Sequence, residues 1–245
     1  MGFLLLFDIS RNFIKIPIEE EWTLKKSENI KGELKKRTGI GIIVILIAVS
    51  FFFVPRDIFI FGIGILGGIG LSEIWQMSRN APRARDILVA GIFAIYLCVS
   101  LFLFFVLRFT KDGLWWLVLG LSSAGIFDAF SYFGGKLWGK HRITPHISPH
   151  KTLEGLIAGF IGCGIIAFIL GKMIFSFVLW KIAITPILLG CFAFLGDLFE
   201  SFLKRRMGVK DSGTILKSHG GLLDRIDSVL GVVYGLYLLK FFLFQ

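Results

Sequence analysis

Four polar side chains close an otherwise apolar run: Asp197, Glu200, Ser201 and Lys204. Their spacing of i, i+3, i+4 and i+7 puts all four on one face of a helix. Asp224, Asp227 and Ser228 repeat the i, i+3, i+4 pattern at the head of a second apolar run. Carboxylates in or beside a membrane helix are costly to bury and mark functional sites. Two helix ends that each offer a carboxylate-bearing face suit Mg²⁺, which takes oxygen ligands and keeps waters or phosphate oxygens besides. Lys204, Arg205, Lys210, His219 and Arg225 supply positive charge for phosphate, and Gly220–Gly221 let a backbone approach an anion closely. Acids and bases at helix ends also neutralise one another with no ligand present. Four acids on two segments, with five cations and a Gly-Gly pair between them, favour a binding site over that simpler reading.

A second group of residues spans 128–155. Asp128 and Tyr132 lie one turn apart at the end of an apolar run, and Gly134, Gly135, Lys136, Gly139 and Lys140 read as a glycine and lysine loop. Ser148, Pro149, Lys151, Thr152 and Glu154 lead into the next run, with Ser or Thr suited to cap a helix. Gly134 to Lys140 has the Gly-x-x-x-x-Gly-Lys spacing of a P-loop, yet His141 stands where Ser or Thr should ligate Mg²⁺, and no soluble strand precedes it. A true P-loop is not expected, although the loop is expected to touch phosphate. His141, His146 and His150 match no familiar ligand spacing and read as exposed loop histidines.

These groups must be positioned by membrane helices. The hydrophobic fraction is 55%, Phe alone contributes 27 residues, and mean hydropathy is +0.78 over 245 residues. Several apolar runs approach or exceed the ~20 residues that a helix needs to cross a bilayer. The fold expected is an all-α, polytopic membrane bundle with spans near 39–55, 58–76, 87–107, 114–133, 155–171, 182–203 and 229–244. The stretch 172–181 reads as an interfacial helix or an extension of a neighbour, and an eighth span there is the alternative count. With the N-terminus in the cytoplasm, the regions 1–38, 77–86, 134–154 and 204–228 face inward and hold 21 of the 27 Lys and Arg residues. That bias puts both motif-bearing loops on the nucleotide side of a cell membrane.

The net charge of +10 fits anionic lipid and phosphate ligands better than nucleic acid, because the charges fall between apolar runs. Residues 1–33 read as a cytoplasmic extension ahead of a membrane domain over 34–245, and no cleaved signal peptide is expected. Cys98, Cys163 and Cys191 lie apart in apolar runs. They read as buried small hydrophobes rather than disulfide or zinc partners.

Residues 201–228, with Ser-x-x-Lys-Arg, Lys-Asp and His-Gly-Gly-x-x-Asp-Arg-x-Asp, closely resemble the signature of the phosphatidate cytidylyltransferase (CDP-diacylglycerol synthase) family. The Ser-Pro-x-Lys-Thr-x-Glu-Gly stretch at 148–155 and the basic patch and first span over 34–54 look like the same family. The resemblance covers about 34–245. Ala129 stands where the family commonly has Thr, and Lys217 where it has Pro or a small residue.

The resemblance implies transfer of the cytidylyl group of CTP to phosphatidic acid, giving CDP-diacylglycerol and pyrophosphate. It also implies Mg²⁺ dependence, and leaves open a monovalent cation and a homodimer. The metal ligands it points to are Asp197 and Asp224, with Asp227 and Asp128 as helpers. Its catalytic set is Lys204, Arg205, Lys210, Arg225 and Asp227. Substrate and nucleotide would meet Asp128, Tyr132, Lys136, Ser148, Lys151, Thr152, Glu154, Glu200, Ser201, His219, Gly220 and Gly221. A CTP-dependent lipid-alcohol kinase is the nearest alternative, and a transporter or inactive lipid-binding scaffold comes from a different class.

Overall fold

The computed structural model describes residues 54–79, 83–213 and 220–244. Within them run six helices: α1 (Arg56–Ser78), α2 (Ala84–Arg108), α3 (Gly113–Trp138), α4 (Leu153–Met173), α5 (Leu179–Arg206) and α6 (Leu223–Leu238). A wider π-type turn over Leu239–Leu243 prolongs α6. All six are long and apolar enough to cross a membrane, and the chain is a multi-pass membrane protein. A helix is the natural form here, because hydrocarbon offers backbone N–H and C=O groups no other partner. The surface agrees: Met173, Leu179 and Phe61 are 79%, 74% and 71% exposed, which lipid tolerates and water does not.

The six helices coincide with six of the seven expected spans. The expected span at 39–55 and the extension at 1–33 fall outside the described residues, apart from Val54 and Pro55. The stretch 172–181 forms no eighth span. Helix α4 ends at Met173, α5 begins at Leu179, and the short break between them includes Ser176 at φ 50°.

One expectation about the second motif needs correcting. Gly134, Gly135 and Lys136 do not belong to a loop, because α3 continues to Trp138. A Cβ on Gly134 would strike Ala158 of α4, so this glycine serves the close approach of α3 and α4. Beyond Trp138 the chain forms a small antiparallel hairpin, β1 (Arg142–Thr144) and β2 (Ser148–Thr152), on an otherwise all-α frame.

Successive helices reverse direction. The ends of α1, α3 and α5 therefore meet the starts of α2, α4 and α6 on one side, where Arg206 Nε lies 2.9 Å from the Asp86 carboxylate. Beneath this polar end, Ile74, Met77, Phe93, Leu97, Leu203, Met207, Leu223 and Leu230 form a buried apolar floor. The rings of Tyr96 and Tyr234 stack below it at 5.4 Å, and the Tyr234 hydroxyl donates to the Tyr96 carbonyl. Cys163 is buried as expected, whereas Cys98 and Cys191 are exposed on the outside of their helices.

Candidate functional site

The site begins at a helix crossing without side chains. A Cβ on Gly196 of α5 would come within 2.5 Å of the Asp227 carbonyl oxygen and 3.0 Å of Gly231 Cα. A Cβ on Gly231 of α6 would strike the Phe192 carbonyl. Only glycine at both positions lets the two backbones touch. The crossing brings Asp197, next in chain to Gly196, beside Asp227.

Asp128, near the end of α3, completes a group of three carboxylates. Its Oδ1 accepts from Ser228 Oγ at 3.0 Å, while the Ser228 N–H donates to Asp227 Oδ1 at 2.8 Å. The charges of Asp128, Asp197 and Asp227 act on one another across this space. One cation answers them directly: Lys151 Nζ reaches in from β2 to 2.8 Å from Asp197 Oδ2, resting over the Phe194 ring. Asp197 Oδ1 accepts from Ser201 Oγ at 3.3 Å. The two motifs, far apart in sequence, thus meet through Lys151–Asp197 and Ser228–Asp128.

A second polar group lies alongside. Lys204 Nζ forms ion pairs with Glu200, one turn earlier on α5, and with Asp224 Oδ1 at 2.6 Å on α6. Glu200 is fully buried, and its Oε1 has no hydrogen-bond partner among the described residues. Asp224 Oδ2 accepts from the N–H groups of Ser212 and Gly221 at 3.0 and 2.8 Å, and from Ser212 Oγ at 3.1 Å. With φ of +80°, Gly220 takes the left-handed turn just before this contact.

The hairpin is tied down by residues expected to bind ligand. Glu154 Oε2 accepts from the backbone N–H groups of Lys140 and His141 at 3.1 and 3.2 Å, and its Oε1 lies 2.6 Å from His141 Nδ1. Thr152 caps α4 by accepting from the Gly155 N–H at 3.2 Å, as the sequence suggests. Arg205 Nε donates to the Ile147 carbonyl at the hairpin tip. The Ser148 carbonyl accepts from Thr144 Oγ1 across the turn at 3.5 Å. His146 and His150 are exposed, as loop histidines should be.

Other expected site residues lie at the surface. Tyr132 is 62% exposed at the outer side of α3, with Lys136 Nζ over its ring at 5.7 Å. Lys210 and Arg225 are exposed. His219 and Lys217 lie outside the described residues.

Reasoning from sequence missed Glu73. Fully buried near the end of α1, its carboxylate accepts from the N–H groups of Leu222 and Leu223 at 2.7 and 3.0 Å and from Ser212 Oγ at 3.1 Å. The available signal was its isolation, a single acid in a long apolar run.

The donor set suits a hard cation. Asp128, Asp197 and Asp227 offer carboxylate oxygens from three helices, with Lys151 already paired to Asp197. Among the described residues, no three His, Cys, Asp or Glu side chains converge as a ready-made coordination sphere. Mg²⁺ does not require one, since it retains waters and phosphate oxygens. The two expected ligands differ in state. Asp197 has Lys151 and Ser201 as partners, whereas the oxygens of Asp224 already accept from Lys204, Ser212 and Gly221.

The membrane-length helices thus gather carboxylates and lysines at one end of the bundle. Residues 85–243 match the cytidylyltransferase family, and the chain belongs to that family. Among curated relatives, the phosphatidate cytidylyltransferase of Staphylococcus haemolyticus is 38% identical over 159 residues, which is 64% of this chain and 60% of that protein. The phosphatidate cytidylyltransferase of Thermotoga maritima is 41% identical over 59% of this chain and 56% of its own. That of Helicobacter pylori is 42% identical over 53% and 47%. The match thus spans about half to three-fifths of these relatives' own length.

Proposed function

We propose that this protein transfers the cytidylyl group of CTP to phosphatidic acid, forming CDP-diacylglycerol and pyrophosphate. The observation that carries the reading is the meeting, at one end of the bundle, of Asp128 and Asp227 bridged by Ser228, Asp197 paired with Lys151, and the Glu200–Lys204–Asp224 clamp. Relatives with 38–42% identity that are named phosphatidate cytidylyltransferases supply the substrate class.

In this reaction a phosphate oxygen of phosphatidic acid attacks the α-phosphorus of CTP, and the bond to the bridging oxygen of pyrophosphate breaks. The attacking oxygen is already anionic, so no Ser-His or Cys-His activation is required. The difficulty is the approach of two polyanions, answered by fixed charge and orientation. Exposed Arg205, Lys210 and Arg225 would draw the triphosphate to this end of the bundle. Lys204, restrained between two carboxylates, would present its ammonium at a fixed point without the entropy of a loose side chain. Lys151 would do the same beside Asp197. Asp197, Asp227 and Asp128 would hold Mg²⁺, with Asp224 joining them if Lys204 turns to phosphate. Bound there, the ion would neutralise charge on the triphosphate and the departing pyrophosphate.

Acyl chains of both lipid substrate and product would stay in the bilayer while CTP enters from water. The 21-of-27 bias of basic residues argues that this end of the bundle faces the cytoplasm, with the protein in the cell membrane. The test is incubation of the purified protein in detergent with CTP and phosphatidic acid, with and without Mg²⁺. Metal-dependent CDP-diacylglycerol and pyrophosphate in equal amounts are expected. A folded sample that makes neither overturns the proposal.

A further inference from the structure

We infer that Glu73 is a positioning residue of the transfer reaction, holding Ser212 and the start of α6 in the geometry that aims Asp224 and Asp227. The inference rests on the proposed reaction but draws on a residue that lies ahead of the matched family region, 85–243.

Helix α6 begins without a side-chain cap of its own: Leu222 occupies the cap position. The first N–H groups of any helix need acceptors, and an apolar surrounding offers none. Glu73 supplies them from another span, 149 residues away in sequence, by accepting from Leu222 and Leu223. Its negative charge also meets the positive end of the α6 dipole. These N–H groups and the Ser212 hydroxyl are what stabilise a carboxylate with no exposed surface.

The neighbouring chain is shaped around this carboxylate. A Cβ on Gly213 would come within 2.9 Å of Glu73 Oε1, and one on Gly221 within 2.7 Å of both carboxylate oxygens. Ser212 Oγ lies 3.1 Å from Glu73 Oε2 and 3.1 Å from Asp224 Oδ2. A hydroxyl has one proton, so Ser212 can donate to one of the two carboxylates at a time. The result is one polar chain from α1 to α5: Glu73, Ser212, Asp224, Lys204, Glu200. With its carboxylate fully buried, Glu73 acts through these neighbours and not on substrate.

Two readouts on the full-length protein in detergent test this. Glu73→Gln keeps the shape but sets an amide NH₂ where one oxygen accepted. Turnover should fall ~10–100-fold, with the KM for CTP changed far less, and Glu73→Asp should recover part of the loss. Independently of activity, trypsin should cut after Lys210 roughly tenfold faster in Glu73→Gln, because a lost cap makes local opening more frequent. Ser212→Ala, which leaves the backbone N–H groups on Glu73 in place, should shift the cleavage in the same direction. Wild-type turnover or wild-type cleavage in Glu73→Gln overturns the inference, as does wild-type cleavage in Ser212→Ala. If the unmutated protein forms no CDP-diacylglycerol while Glu73→Gln is cut faster, the loop-holding role stands and the proposed reaction fails.

Discussion

Replacing Lys204 by Met separates what that residue does for the fold from what it does for the reaction. Met keeps the length of the stem and removes the ammonium. In the folded protein this strips the cation from Glu200, which has no exposed surface, and from Asp224 Oδ1. Removing one partner of a buried ion pair costs about 3–5 kcal/mol, because the remaining charge is left in a poorly solvating medium. For a protein of this size each kcal/mol moves the melting temperature by ~2–4 °C, so Lys204→Met should melt roughly 6–20 °C lower. Glu200→Gln introduced alongside removes the stranded charge, and the double variant should regain most of that loss. Turnover should not return, since the reaction lacks the ammonium whatever the fold does. Thermal melting in detergent and CDP-diacylglycerol formation at saturating CTP read the two quantities separately. A double variant that regains both stability and turnover would refute the catalytic role of Lys204. A single variant that melts like the wild type would refute the buried-pair reasoning itself.

Other expectations are as direct. Gly231→Ala forces a methyl into the Phe192 carbonyl and should cost ~1–3 kcal/mol as overpacking, with a larger loss of turnover, whereas Gly125→Ala and Gly164→Ala meet nothing within 4 Å and should leave both unchanged or gain stability. Melting curves and turnover of the three variants side by side check this. Thr152→Ala removes the acceptor for the Gly155 N–H and should lower stability by about 1 kcal/mol, read from the shift in melting temperature. Chelation of Mg²⁺ should abolish turnover and re-addition restore it; activity that persists in excess chelator would exclude the metal reading of Asp197. Asp197→Asn should raise the Mg²⁺ concentration needed for half-maximal rate more than Asp224→Asn does, because Asp224 already accepts from Lys204, Ser212 and Gly221.

The architecture was legible because one physical variable, residue hydropathy over about twenty positions, decides whether a segment can cross a bilayer. The same holds for Asp197, Glu200 and Lys204, whose helical spacing places them together before any tertiary contact is known. The end of α3 was not legible in this way. Gly134, Gly135 and Lys136 have the composition of a loop, and only the packing of Gly134 on Ala158 reveals a helix that needs small residues. The hydrogen bonds by which Glu154 and Arg205 hold the 140–147 segment were equally hidden, because no local spacing marks them. Glu73 was the hardest, because its partners lie across 149 residues and nothing local marks the pairing. Spacing within one helix can be read from a sequence, whereas a contact between two helices depends on which way each is turned.

That turning is fixed for α5 and α6 by the bare crossing at Gly196 and Gly231. Asp227 lies four residues before Gly231, and Asp224 seven before it, so both acids are indexed to the point where the helices touch. A single residue inserted between Ser228 and Leu230 would keep Gly231 against Phe192 but swing both acids about 100° around the helix and shift them by about 1.5 Å. The short segment from Gly231 back to Asp224 is therefore intolerant of any change in length, even one that keeps every side chain. The turn at the hairpin tip, where no helix sets the phase, is where the chain can be lengthened and the reacting end of the bundle still assemble.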